Sequence, residues 1–289
     1  MPQLTLNEAR QRYENSLKAS GKANATVIAY VKDIEQLVDF LAARDKADPV
    51  TVTADDIEAF KDLLKTQRYT SKSVSRKVNS IKSFFRFMVD AGATSENPAK
   101  TVTQPKYEQV PPQVLTKTEY RALRDACRGD VRMTAIVELL LQTGMRISEL
   151  ANLHLTDIDM DKGVIAVNTI DTGVSRKIPM NDMARRALAE YLKLRPKAKE
   201  QTVFLTKTCK PFLIRNIRNS IDRYFRLAGL REVKVNDLRH TFIVEQLRAG
   251  VPLLYVSQLV GHKRITTTEK YLQFVQQGDM PPEVKIETL

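Results

Sequence analysis

The sequence predicts a mainly α-helical chain of two domains. The first is a four-helix domain. The second is mixed α/β, mostly helical with a small antiparallel sheet. Three observations carry this. Apolar residues recur at helical spacing over long stretches, as in Val27, Tyr30, Val31, Ile34, Leu37, Val38 and Leu41. Asn97–Val114 carries Pro98, Pro105, Pro111 and Pro112, a density that cannot continue a helix and makes a stiff connection. One region, Gly163–Met180, turns β-rich, with GVIAVNT and SRKIPM flanking IDTG as a hairpin or small meander.

Composition sets the bounds. The chain has 289 residues, 43% of them hydrophobic, enough for one large or two medium cores. No run approaches the roughly 18 apolar residues of a membrane span, and the polar start lacks a signal-peptide core, so a cytoplasmic protein is expected. Cys127 and Cys209 match no metal or redox spacing and read as buried thiols. With three His and two Cys, a zinc cage is not expected, and no cofactor or metal is assigned. No phosphate-binding GxxxxGK[ST] loop or GxGxxG fingerprint occurs. Lys and Arg number 46 against 34 Asp and Glu, a net charge of +12 that points to nucleic acid.

In order, helices are expected at about 5–18, 23–44, 53–65 and 71–91. The last of these is the informative one. Val74, Val78, Ile81, Phe85 and Met88 form one stripe, while Lys72, Arg76, Asn79, Ser83 and Arg86 form another. No acidic residue falls between Thr66 and Val89, yet Arg68, Lys72, Arg76, Lys77, Lys82 and Arg86 do. Solvated charged faces usually mix signs, so this face is expected to meet DNA phosphates. Gly92 stops the helix.

The second domain opens on a capping box, Thr116 with Glu119. A strongly apolar helix at 131–143 is expected to be central, with Gly144 ending it. MRISELANL begins the next helix and sets Arg146 and Glu149 one turn apart. After the β-rich region, Asn181 caps a helix to about Leu194 and Val203–Leu205 reads as an edge strand. An amphipathic helix at 214–227 turns Ile217, Ile221, Tyr224 and Phe225 inward and Arg215 and Arg218 elsewhere. Helices at 237–249 and 252–260 follow. A last one starts at Thr266, capped with Glu269, and places Tyr271 in its second turn.

Four residues suit one chemistry. Tyrosine can attack a phosphodiester and form a covalent phosphotyrosine. The transition state spreads negative charge over the phosphoryl oxygens, and two arginines, Arg146 and Arg239, are a natural fork for it. His262 can donate a hydrogen bond or shuttle a proton. Tyr271 is the attacking hydroxyl. Such a site needs neither metal nor ATP, since the protein–DNA linkage conserves the bond energy.

LLLQTGMRISELANLHLTDID, NDLRHTF and LVGHKRITTTEKYLQF, in that order, resemble the two arginine motifs and the histidine–tyrosine motif of the tyrosine recombinases, the phage-integrase family. The small two-domain Xer-like and transposon-borne members are the most similar. The resemblance covers nearly the whole chain. It implies a SAM-like core-binding domain at 1–97, a linker at 98–112, a catalytic domain at 113–278, and a tail at 279–289 that docks on a neighbouring protomer. It implies Arg146, Arg239 and His262 as phosphate activators, Glu149 as support for the first arginine and His240 as a buttress. Double-stranded DNA with paired inverted-repeat sites, a tetramer on two sites, and accessory sites or proteins are the implied partners. With no arm-binding segment before Thr5, a simple core site is expected.

Two positions depart from the pattern. Asn236 stands where the family usually has His; it can donate to a phosphate oxygen or cap the following helix, but cannot carry a proton. The usual hairpin lysine, a general acid for the leaving oxygen, is absent, with Asp171 near its place. Lys177 reaches in through a shifted hairpin, or Lys207 or Lys210 serves, or protonation is slow. The alternatives to a recombinase are a strand-relaxing or hairpin-forming enzyme and a DNA-binding architectural protein with a weak or inactive site.

Overall fold

Local capping chemistry sets the first helices. Thr5 and Thr53 each accept from the backbone three residues on and receive a carboxylate in return, from Glu8 and Asp56. The helices that follow are α1 (Leu6–Ala19), α2 (Asn24–Ala42), α3 (Ala54–Thr66) and α4 (Ser71–Asp90). The computed structural model describes residues 4–108, 110–169 and 174–275. It divides into two compact units, Met1–Val110 and Pro111–Leu289. Asp171, the expected turn of the hairpin, and the tail from 279 lie outside the described residues.

In the first unit, Ile34, Leu37 and Leu41 of α2, Ile57 of α3 and the apolar stripe of α4 close one core. Each such side chain contributes roughly 1.5–3 kcal/mol by leaving water. Two expectations change here. The proline-rich segment begins as part of this core, because Ala99 and Val102 are buried in it. Lys77 does not lie on the exposed cationic face. It is 3% exposed and donates to Asp33 Oδ1 at 2.9 Å and Gln36 Oε1 at 2.6 Å, both on α2. Its position on α4 faces α2, so its charge is used internally. Arg76 and Ser80 also bond Asp33. Arg68, Lys72 and Arg86 are exposed, and Lys82 is half-buried.

The second unit contains α5 (Lys117–Cys127), α6 (Val131–Thr143), α7 (Ile147–Ala151), α8 (Asp182–Leu194), α9 (Ile214–Leu227), α10 (Val235–Arg248), α11 (Leu253–Val260) and α12 (Thr266–Glu269). Three strands, β1 (Ile158–Asp159), β2 (Val164–Thr169) and β3 (Val174–Pro179), form an antiparallel sheet in the order β1-β2-β3. Helix α6 is central, with Ala135, Ile136, Val137, Leu139 and Leu140 buried. Ile165 pairs with Ile178 and Val167 with Arg176 across β2 and β3, so these four share the core-facing side.

Three local readings are corrected. Among the described residues Val203–Leu205 adds no strand to the sheet; isolated bridges join Thr202 to His154 and Leu205 to Pro211. Cys127 is buried, its thiol pushed up to about 12 by burial, whereas Cys209 is exposed in a turn with φ 57°. Thr266 starts α12 without capping it: the residue before, Ile265, has helical angles, and the helix ends after one turn at Glu269. Tyr271 therefore sits in the junction before a 3-10 turn, Leu272–Phe274. Among the described residues, no helix is long and apolar enough to cross a membrane.

Candidate active site

The site is built around the C-terminal end of α11. A helix ends with carbonyls that have no partner within the helix, and the macrodipole concentrates partial negative charge there. The last three carbonyls each receive a different arginine. Arg176 Nε of β3 donates to Leu259 O at 2.6 Å. Arg239 Nη2 of α10 donates to Val260 O at 2.6 Å. Arg146 Nη2 donates to Gly261 O at 3.0 Å. One helix end thus gathers three guanidinium groups from distant parts of the chain.

Two glycines let the backbone pass. Gly144 ends α6 at φ 61°, and its carbonyl accepts from Arg239 Nη1 at 2.5 Å. A Cβ there would collide with the Phe242 ring. Gly261, at φ 67°, ends α11, and a Cβ would stand 2.9 Å from Arg176 Nη1. Both positions need the left-handed backbone that glycine adopts without strain.

Glu149 organises the arginines further. Its carboxylate accepts from the Arg146 backbone N–H at 2.7 Å and from Arg146 Nη1 at 2.9 Å. Arg176 forks onto it, with Nη1 at 3.0 Å from Oε1 and Nη2 at 2.8 Å from Oε2. Burial works to raise the Glu149 carboxyl, but these hydrogen bonds and the two positive charges hold it at about 2. Arg239 is 7% exposed. Its hydrogen-bond partners are backbone carbonyls, and no carboxylate pairs with it among the described residues. Burial, then the Arg146 charge, lowers it to about 9, which leaves it protonated at neutral pH.

Tyr271 is 5% exposed and packs with Phe242, Ile243, Val256 and Val260 in a small apolar cluster. Its polar neighbours in sequence, Lys270 and Gln273, gave no sign of this. Burial raises its hydroxyl above the ordinary tyrosine value, while Arg239 opposes. The hydroxyl lies 2.6 Å from His240 Nδ1. His262 stacks on the tyrosine, ring centres 6.3 Å apart, and its own Nδ1 lies 2.8 Å from Thr268 Oγ1. Burial, then the Arg239 and Arg146 charges, pushes His262 down to about 4, so it is neutral at pH 7.

The structure therefore gathers Arg146, Glu149, Arg239, His240, His262 and Tyr271. It does not gather Asn236 or the lysines. Asn236 is exposed in the first turn of α10, and Lys234, not Asn236, is the N-cap. Lys177 pairs with Ala166 and is exposed, because strand alternation sends it to the face opposite Arg176. Lys207 and Lys210 are exposed in the turn after Leu205. Arg215 and Arg218 are exposed on α9. The residue that sequence reasoning missed is Arg176. Its signal lay in the alternation of SRKIPM, which sets Arg176 and Ile178 on the inner side.

Sequence comparison decides the family. The phage integrase family matches residues 113–277, and the phage integrase N-terminal SAM-like domain matches residues 11–92. The chain belongs to the phage integrase family. It is a tyrosine recombinase, a DNA-binding enzyme that breaks and joins DNA at specific sites. This recombinase is 34% identical over 258 residues to tyrosine recombinase XerC of Roseiflexus sp. (strain RS-1), covering 85% of this chain and 82% of that one. The crystal structure of XerA recombinase shares 27% identity at a TM-score of 0.53, covering 94% and 95%. A lambda integrase dimer bound to a COC' core site shares the fold at a TM-score of 0.74 and 21% identity, covering 91% and 97%.

Proposed function

We propose that this recombinase cuts each DNA strand with Tyr271, leaving a 3′-phosphotyrosine and a free 5′ hydroxyl. That hydroxyl attacks the partner duplex's linkage, and a Holliday junction forms between two paired inverted-repeat sites. The observation that carries the reading is Arg239. A buried guanidinium without a carboxylate partner is costly unless an anion is meant to join it. Arg146 stands beside it on the same helix end, and the Tyr271 hydroxyl lies on the adjoining apolar cluster. Together with the neutral His262, the arginines hold the scissile phosphate and its developing charge. Each well-placed donor of this kind contributes roughly 3–4 kcal/mol to such a transition state.

Glu149 and Arg176 hold the arginine assembly. Arg68, Lys72, Arg76, Lys82 and Arg86 of the first unit, and Arg215 and Arg218 of the second, supply sequence-independent phosphate contacts. Lys77 is left out of that set by its burial. Among the described residues no lysine is gathered with Arg146, Arg239 and Tyr271, so the leaving 5′ oxygen takes its proton from water. Four protomers act on two sites, and residues 279–289 dock on a neighbouring protomer. A cytoplasmic enzyme of a mobile element, moving its own DNA with accessory sites or proteins setting direction, fits this chemistry. The Tn1549 transposon integrase bound to circular intermediate DNA, 21% identical to this chain, is similar in fold.

The test is a nicked suicide duplex cut from the DNA flanking the enzyme's own gene. A covalent protein–DNA adduct is expected with the wild type and none with Tyr271→Phe. No adduct on any flanking repeat, despite tight binding, would favour an architectural protein.

A further inference from the structure

Tyrosine attacks phosphorus only as it loses its proton, and burial makes the Tyr271 proton harder to lose. A buried site therefore needs an acceptor at the hydroxyl. Asn236 cannot take a proton and is exposed in the first turn of α10. One turn further along the same helix stands His240, with Nδ1 2.6 Å from the Tyr271 oxygen. Two imidazoles lie against the phenol, and only this one reaches its oxygen. His262 stacks on the ring, and its Nδ1 is engaged by Thr268.

We propose that His240 is the general base of strand cleavage, taking over from one turn along α10 the role that Asn236 cannot fill. The proposal rests on Tyr271 being the nucleophile. A neutral imidazole with its proton on Nε2 presents the Nδ1 lone pair to the phenol. As the Tyr271 oxygen–phosphorus bond forms, the phenolic proton passes to Nδ1. The phosphorus–O5′ bond breaks, and the 5′ oxygen takes a proton from water. In the joining step a 5′ hydroxyl gives its proton back to water as its oxygen attacks phosphorus, and the departing Tyr271 oxygen recovers its proton from the imidazolium. The charged and titratable groups around His240 are Asp237 and Arg239 on its own helix, His262 before α12, and Tyr271 after it. Burial first, then Arg239, keeps His240 below its ordinary value, against Asp237, so the basic form prevails at neutral pH.

The experiment measures single-turnover adduct formation by the full chain on the suicide duplex as a function of pH. The leaving atom is either oxygen or sulfur, since a sulfur leaving group needs no proton. His240→Gln and His240→Gly are expected to bind DNA as the wild type does but to cleave about 10²–10⁴-fold slower at neutral pH. The defect should be the same for both leaving atoms. Added imidazole should restore His240→Gly, and variant rates should keep rising with pH where the wild type has levelled. Wild-type rates in the variants, repair of the defect by sulfur, or a variant profile parallel to the wild type would each overturn the proposal. So would a wild-type rate that stays flat on the acid side, a result that needs no variant to fold. An adduct surviving in Tyr271→Phe would instead overturn the nucleophile and is scored separately.

Discussion

Two buried charge clusters, one in each unit, use similar residues for opposite ends. In the first unit, Asp33 is 1% exposed and takes Lys77, Arg76 and Ser80, with Gln36 completing Lys77. The partners of Asp33 and Lys77 there are side chains, and the charge left over rests on Arg76, whose side chain reaches solvent. In the second unit, Glu149 also serves two cations, Arg146 and Arg176. A third, Arg239, is buried beside them with carbonyls alone. The first cluster ties α2 to α4 and leaves nothing buried to attract a ligand. The second keeps a positive charge out of water, close enough to Tyr271 to act on its hydroxyl. What separates scaffold from site is thus whether the last charge is neutralised by the protein or kept for the substrate.

The sharpest way to break this comparison is in the scaffold cluster. Asp33→Ala leaves Lys77 buried and uncompensated, and denaturant melts should show a loss of about 3–5 kcal/mol. The double variant Asp33→Leu, Lys77→Met should recover most of it; if it does not, the pair does more than hold helices. Next comes Arg239→Ala, expected to slow adduct formation about 10²–10³-fold. Arg239→Lys keeps the charge but loses the fork, and should recover only part of that rate. Full activity of Arg239→Ala on the suicide duplex would remove the distinction drawn here.

A smaller effect concerns Glu149. Its carboxyl sits at about 2 in the folded chain against an ordinary 4.5. The stability it contributes is complete above about pH 4.5 and is lost as pH falls toward 2. Glu149→Gln should flatten the fall of stability over that window in graded acid melts, and an unchanged slope would detach Glu149 from the cluster. Least of all should Lys177→Ala matter. With its side chain on the outer face of the hairpin, less than a roughly tenfold change in cleavage is expected, far below the loss of a general acid.

Much of the fold was legible because its signals are local. Thr5, Thr53, Thr116 and Asn181 cap the helices that the spacing predicted. The arginines were legible through their place in motifs. Tyr271's surroundings were not, since its ring is buried by Phe242 and Val260 from other helices. Thr266 and Glu269 looked like a cap, but the junction is shaped by tertiary contacts, with Thr268 wholly buried and bonded to His262. Arg176 was hidden for a related reason. Whether a strand residue faces in or out depends on its pairing with β2, and neighbouring Lys177 lies on the face opposite Arg176.

The three carbonyls at the end of α11 carry one more consequence. Their arginines lie 83, 21 and 115 residues away along the chain, in the order Leu259, Val260, Gly261. The helix end is satisfied only when all three segments have closed on it.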